Sequence, residues 1–157
     1  MKVLRIYADT NVIGGCCDDE FAQWSLGLLK DFEIGYYRPV ISEIVAAEIA
    51  RAPVEVIEKY AELLDCNPEF AEVTAEVEEL AAVYQEKKIL SPNFSNDALH
   101  VALAAVVEVD ALASWNFRHV VHMDKVRLFN AVNLERGYKP IHICSPREIT
   151  YHGYQDS

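Results

Sequence analysis

The sequence predicts an α/β fold, a three-layer α/β/α sandwich with a central parallel sheet. Short apolar stretches of strand length alternate along the 157 residues with longer segments that repeat apolar residues at helical spacing. The first apolar stretch ends abruptly in a carboxylate, Asp9. Ligands of open parallel sheets collect just beyond the carboxyl ends of the strands. The length fits one domain with a sizeable core.

Five apolar stretches are predicted strands: Val3–Ala8, Pro39–Ile41, Phe70–Thr74, Ala111–Trp115 and Ile141–Cys144. Six helices are predicted: from Asp18 or Asp19 to about Lys30, from Ser42 to Pro53, then Val54–Leu64, Val77–Lys88, Ala98–Val107 and Asp124–Arg136. Ser42 has the side chain of a helix cap, and Gly137 suits a helix end. Loops are expected at Gly14-Gly15 and from Ser145 onward. We expect a domain at 1–146 and a tail at 147–157.

Composition and charge limit the function classes. A net charge of −11 argues against a simple nucleic-acid binder, since phosphate contacts need Lys and Arg. Residues 55–86 carry ten acids and one base, whereas residues 114–147 carry six bases and two acids, which indicates two surfaces or merely solvated helix faces. The spacing of the four cysteines suggests neither a zinc site nor a disulfide framework. We expect a cytoplasmic protein with no signal peptide and no membrane span.

Two polar residues stand at the ends of predicted strands. Asp9 ends the first strand, and Asn116 follows Ala111–Trp115. Asp9 is well placed to hold a hard cation, although a turn-forming Asp would also close a strand. Asn116 offers an oxygen without charge and would be a weaker ligand. Asp110 precedes its strand and therefore belongs to the opposite edge of the sheet.

Glu48 is the acid that helical spacing explains least. Its neighbours one turn away are apolar, and a glutamate on such a stripe is costly without a partner. Glu43 points about 140° away around the helix, and the helix dipole accounts for an acid in the first turn. Glu48 is therefore the better candidate for a site, with a rim position from which the side chain extends to solvent as the alternative.

Asp97 begins the strongly apolar helix and is the third candidate. Dipole stabilisation of about 0.3–1 kcal/mol explains an acid there without any function. His100 follows one turn later, and we expect it to pack or to orient a ligand. Asp124 is a further source of charge, although it also suits a helix cap.

Asp9, Glu48, Asp97 and Asn116 are predicted to converge on one edge of the sheet. Several carboxylates in one place repel each other unless a cation lies among them. Oxygen ligands favour Mg²⁺ or Mn²⁺ over zinc. The sequence therefore predicts a divalent metal centre held by the three acids.

Four short motifs occur in a characteristic order: Asp-Thr-Asn-Val from residue 9, Ile-Ser-Glu-Ile-Val-Ala-Ala-Glu-Ile from 41, Asn-Asp-Ala-Leu-His-Val-Ala-Leu-Ala from 96, and Ala-Ser-Trp-Asn-Phe-Arg-His from 113. Together they resemble the PIN domain family, above all its VapC-type toxin ribonucleases. The family's three acids correspond to Asp9, Glu48 and Asp97. Its last acid usually lies in a Thr-x-Asp pattern, and here Asn116 replaces it.

The resemblance implies a Mg²⁺- or Mn²⁺-dependent endoribonuclease, with catalytic residues Asp9, Glu48, Asp97 and Asn116. Asn11 and Ser114 would orient ligands or water, and Arg118 is either a phosphate contact or a surface charge. Toxin relatives imply a homodimer and an antitoxin protein. The alternatives are a weak or inactive PIN-like binding domain, a metal-dependent phosphatase and a DNA nuclease.

Overall fold

Five parallel strands form the central sheet of the computed structural model, which describes residues 2–154. The strands are β1 (Leu4–Ala8), β2 (Tyr37–Ser42), β3 (Glu69–Ala71), β4 (Ala111–Ala113) and β5 (His142–Cys144). Their spatial order is β3-β2-β1-β4-β5. From β1 the chain thus adds β2 and β3 on one side, and it then returns to the other side of β1 to add β4 and β5. The carboxyl ends of β1 and β4 flank this switch point, where α/β sheets bind ligands.

Helices cover both faces of the sheet. They are α1 (Thr10–Gly15), α2 (Ala22–Glu33), α3 (Glu43–Ile49), α4 (Val54–Leu64), α5 (Ala75–Glu86), α6 (Ser95–Val106), α7 (Met123–Glu135) and α8 (Pro146–Ile149). Right-handed crossovers put the β1–β2–β3 connections on one face and the β3–β4–β5 connections on the other. The predicted α/β fold with a parallel sheet is confirmed. Within residues 2–154, no helix has the length and apolarity that crossing a membrane needs.

The core explains why these segments adopt these elements. Ile6, Tyr7 and Ala8 of β1 are at most 2% exposed, because β1 has strands on both sides and helices on both faces. Helix α6 is buried all round over residues 101–105, as expected for an apolar central helix. The four cysteines are free thiols.

The predicted loop at Gly14-Gly15 is wrong, because helix α1 spans Thr10–Gly15. A Cβ on Gly15 would lie 2.5 Å from Ser25 Oγ and 2.7 Å from Trp115 Nε1. Gly15 therefore permits close helix packing and does not mark a turn. Such a tertiary contact is invisible in the local sequence.

Several predicted helix starts also need correction. Helix α2 begins at Ala22 and not after Asp18 or Asp19, and α7 has His122 and not Asp124 at its N-cap. Helix α6 begins at Ser95, three residues before the predicted start at Ala98. Strand β3 is shorter than predicted, because Thr74 accepts a hydrogen bond from Val77 N and caps α5. Ser42 caps α3 as predicted.

The chain from Ser145 to Tyr154 is ordered structure and not the predicted loop. Helix α8 and a short 3₁₀ turn, His152–Tyr154, pack on α2. The fully buried carboxylate of Asp31 accepts hydrogen bonds from Thr150 Oγ1 and from the backbone of Tyr151 and His152. A single acid on α2 thereby fixes this segment to the domain.

Candidate metal centre at the carboxyl edge of the sheet

Asp9 stands at the junction of β1 and α1. Its extended backbone places it at the N-cap of α1, and it is only 4% exposed. Its Oδ2 accepts hydrogen bonds from Ser114 Oγ at 2.8 Å and from Asn11 Nδ2 at 3.3 Å. The carboxylate is therefore held in one orientation by the two residues that flank the switch point.

Asn11 and Ser114 connect the ends of β1 and β4. Asn11 Nδ2 donates to Ser114 Oγ at 3.1 Å, and Asn11 Oδ1 accepts from the backbone of Trp115 at 2.8 Å. Ser114 is fully buried. Both side chains therefore contact each other and Asp9 at the switch point.

Glu48 reaches the same edge from α3. Its Oε1 accepts from Thr10 Oγ1 at 2.6 Å and lies 2.7 Å from His100 Nε2. Burial alone would raise the pKa of Glu48, but the hydrogen bonds from His100 and Thr10 hold it below its usual value. Glu43 is exposed on another side of α3 and accepts a hydrogen bond from Val73 N. The helical-face argument therefore selects the glutamate that contacts the site.

His100 is buried between the acids, with 1% of its surface exposed. Its Nε2 is 3.5 Å from Asp9 Oδ1 as well as 2.7 Å from Glu48, and its Nδ1 is 2.7 Å from Tyr7 OH. Burial alone would lower the pKa of His100, but the charge of Asp9 and the hydrogen bond with Glu48 raise it overall. Tyr7 OH also bonds Ser42 Oγ at 2.7 Å. A continuous chain of hydrogen bonds therefore runs from the end of β2 to Glu48.

Asp97 and Asn116 form the far side of the cluster. Asn116 Nδ2 donates to Asp97 Oδ2 at 3.3 Å, and Asn116 Oδ1 accepts from His119 N at 2.9 Å. Burial and then the charge of Asp9 raise the pKa of Asp97. A half-buried acid beside another acid is where a cation would relieve repulsion.

The donor set fits a divalent cation. One ligand atom each from Asp9, Glu48 and His100 lies within 4.8 Å of the others, and Asp97 is a close charged neighbour of Asp9. Carboxylates suit Mg²⁺ and Mn²⁺, whereas imidazole suits later transition metals. The two carboxylates and one imidazole can therefore hold a divalent cation, and His100 takes the third place in the cluster that the sequence predicts for Asp97.

Two predicted contributors stand apart. Arg118 is exposed in the loop after β4, and no hydrogen bond or ion pair found within residues 2–154 involves its side chain. Asp124 lies in the first turn of α7, at a separate surface that it shares with Arg127 and Leu128. Asp124 is therefore neither near the acidic cluster nor the predicted helix cap, because it lies two residues after the N-cap His122.

Sequence reasoning missed Tyr7 and Thr10. Tyr7 is fully buried in β1, and Thr10 bonds Glu48 from the first residue of α1. A phenol within a buried strand requires a hydrogen-bond partner, so Tyr7 carried a usable signal. Thr10 carried none, because its role depends on where α3 lies.

Comparison with known proteins supports the fold. No protein-family model matches this chain, and neither does any curated protein. Among solved structures, it is similar to a chain in the crystal structure of VapBC2 from Rickettsia felis bound to a DNA fragment from their promoter. The likeness covers 89% of this chain and 97% of that chain, with a TM-score of 0.53 at 17% sequence identity. At that identity the likeness shows a shared fold.

Proposed function

We propose that this chain is a Mg²⁺- or Mn²⁺-dependent endoribonuclease of the PIN type, and the toxin of a toxin–antitoxin pair. One observation carries the proposal: Asp9, which directly follows β1, and Glu48 of α3 meet around His100 at the carboxyl edge of the sheet. The likeness to a VapBC2 chain supports it at the level of the fold.

The chain's own residues would hold the reacting groups in place. Asp9, Glu48 and Asp97 would hold the cation, which lowers the pKa of water and offsets phosphate charge when bound. Ser114 and Asn11 orient Asp9. Fixed donors and acceptors of this kind need no rearrangement during reaction.

Asp97 would accept the proton of the attacking water through the carboxylate oxygen that does not hold the cation, because within the described residues its side chain accepts a single hydrogen bond, from Asn116 at 3.3 Å. Attack of that water would form a new bond between its oxygen and phosphorus and break the bond to the 3′ oxygen, which leaves with its electron pair and takes a proton from solvent. The products would carry a 5′-phosphate and a 3′-hydroxyl. Product ends of that type distinguish this mechanism from one in which the ribose 2′-hydroxyl attacks.

A cleavage assay tests the proposal. Purified wild type and Asp9→Asn are incubated with single-stranded RNA in millimolar Mn²⁺ or in EDTA, and the product ends are determined. We expect cleavage by wild type in Mn²⁺ only. The loss in Asp9→Asn should exceed the roughly 10–100-fold typical of groups that only support a ligand. Cleavage that survives in EDTA or in Asp9→Asn would contradict the proposal.

A binding domain without catalysis is the second candidate, and Asn116 favours it. The amide of Asn116 contacts Asp97 without adding charge, which weakens the hold on a cation. Wild type that binds RNA but leaves it intact in Mn²⁺ would select this candidate. A DNA or a phosphomonoester cleaved in place of RNA would select the nuclease or phosphatase alternative.

The proposed partners are an RNA substrate, a second copy of the chain and an antitoxin protein. The solved neighbour belongs to VapBC2 bound to promoter DNA, which motivates the antitoxin proposal. Light scattering on the purified chain tests the homodimer. Co-purification with the product of an adjacent gene tests the antitoxin.

A further inference from the structure

A groove of about 400 Å³ opens beside Glu48. It runs between α3 and the first turn of α6, and it is lined by Ile44, Ala47, Glu48, Arg51 and Asn96. Pockets for small molecules span roughly 300–1,000 Å³, so the groove has room for one nucleotide. Since Glu48 belongs to both, the groove continues directly from the acidic cluster.

Arg51 is the cation of this groove. It follows α3 by two residues and is exposed, three residues after Glu48. No ion pair or side-chain hydrogen bond found in the described part of the chain engages its guanidinium, whereas Arg5 and Arg136 pair with Glu69 and Glu79. Arg51 is therefore free to bind an anion at the mouth of the acidic site.

We propose that this groove binds the nucleotide adjacent to the scissile phosphodiester of a single-stranded RNA. Arg51 contacts that nucleotide's phosphate, and Ile44 and Ala47 contact its sugar or base. This inference rests on the proposed ribonuclease function and adds the path of the substrate strand.

The negative charge of the protein explains why a bound RNA strand needs Arg51. The chain carries −11 overall, and ten acids lie between residues 55 and 86, in and around α4 and α5. Such surfaces repel a polyanion, so an RNA strand that leaves the acidic cluster needs a neighbouring cation. Arg51 meets this need three residues after Glu48 in the chain, and Asn96 from the first turn of α6 adds an amide to the same groove.

Binding to RNA without cleavage tests the inference. The Asp9→Asn protein is titrated with a fluorescein-labelled 12-nucleotide single-stranded RNA in Mg²⁺, at NaCl from 50 to 200 mM, and anisotropy is followed. Arg51→Gln and Arg51→Lys are introduced into this protein. Arg38→Gln is the matched control, because Arg38 is exposed near the amino end of β2, away from the acidic edge.

We expect Arg51→Gln to weaken RNA binding about tenfold at the lowest salt. It should also reduce the slope of log affinity against log[NaCl] by about 0.7, the value for one lost contact to a single strand. Arg51→Lys should keep the slope, and Arg38→Gln should change neither quantity.

Three results would overturn the inference: no measurable RNA binding, unchanged binding in Arg51→Gln, or an equal loss in Arg38→Gln. If Arg51→Gln leaves RNA binding unchanged, the groove has another occupant, such as an acidic protein segment. Failure of the ribonuclease proposal is a separate result, since it shows as absence of cleavage by wild type in Mn²⁺ while RNA binding still depends on Arg51.

Discussion

Replacing Asn116 with Asp tests how charge is balanced at the site. The amide nitrogen of Asn116 donates to Asp97 Oδ2 across 3.3 Å, and its oxygen accepts from His119 N. In Asn116→Asp one side-chain oxygen still accepts from His119 N, but a carboxylate oxygen replaces the amide nitrogen that donated to Asp97. Without a cation, two carboxylates then face each other at contact distance.

The magnitude follows from that distance. Two unit charges 3.3 Å apart repel by about 5 kcal/mol at an effective dielectric constant of about 20. The repulsion cannot exceed the free energy of protonating one of the two carboxyls at pH 7. That free energy is about 4 kcal/mol, because pH 7 lies about three units above the usual carboxyl pKa of about 4 and each unit costs about 1.4 kcal/mol. Solvent at half-buried Asp97 reduces the repulsion further. We expect the metal-free variant to lose about 2–3 kcal/mol of unfolding free energy at pH 7.

The loss should depend on pH in a definite direction. Burial and Asp9 already raise the pKa of Asp97, and a second carboxylate raises it more. At pH values between the pKa of this carboxyl in the unfolded chain and its higher pKa in the folded protein, the folded state binds more protons than the unfolded chain. Stability of the variant therefore falls as the pH rises through that interval. The difference from wild type should be small near pH 4 and complete by neutral pH.

Thermal melting in EDTA and in millimolar Mn²⁺ measures both effects. For a protein of this length, 2–3 kcal/mol corresponds to a fall in Tm of about 4–12 °C in EDTA. Mn²⁺ should raise the Tm of Asn116→Asp more than that of wild type, because added negative charge tightens binding to the folded state. Asn116→Ala is the control, since it loses the hydrogen bond without adding charge. Equal Tm values for Asn116→Asp and wild type in EDTA would refute the electrostatic argument, and equal Mn²⁺ shifts would place residue 116 outside the metal centre.

Three further outcomes are expected. Glu48→Gln should lose RNA cleavage in Mn²⁺ at least about tenfold, whereas Glu43→Gln should stay near wild type; the reverse order would reject the choice of Glu48. Tyr7→Phe should lose about 1–3 kcal/mol in urea unfolding, because it removes the hydroxyl that bonds Ser42 and His100; wild-type stability would show that this hydroxyl contributes nothing. Asp31→Ala should lose about 3–5 kcal/mol and open residues 150–154 to carboxypeptidase, and continued protection of that segment would contradict its anchoring role.

The sequence was sufficient where one residue's local surroundings set its position. Asp9 follows an apolar stretch that only a buried strand accommodates, so its place at the carboxyl edge was predictable. Ser42 caps α3 and thereby fixes the phase of that helix. Once the phase is known, spacing separates Glu48 from Glu43. Asp110 was excluded by the same reasoning, and it lies at the opposite edge, where Arg5 N donates to its carboxylate.

Prediction failed where a distant contact determined the local structure. Gly14 and Gly15 suggest a turn, yet both lie in α1, and position 15 needs a glycine because Ser25 and Trp115 approach it too closely for a side chain. The segment after Ser145 has little apolar periodicity, and its order comes from the buried carboxylate of Asp31 more than 100 residues earlier. Neither partner is recognisable from neighbouring residues alone.

His100 shows that the site depends on contacts that cannot be predicted by considering each residue separately. Considered alone, a histidine on an apolar helix is a packing residue, and Tyr7 is one more large side chain in a strand. Together they form a buried chain from Ser42 through Tyr7 and His100 to Glu48, with Asp9 beside it. Each polar group in that chain has a partner, which is the condition under which a buried network fixes one geometry. The carboxylates that would hold a cation are therefore positioned by the folded chain itself, and α3 is tied to β1 and α6 by the same bonds.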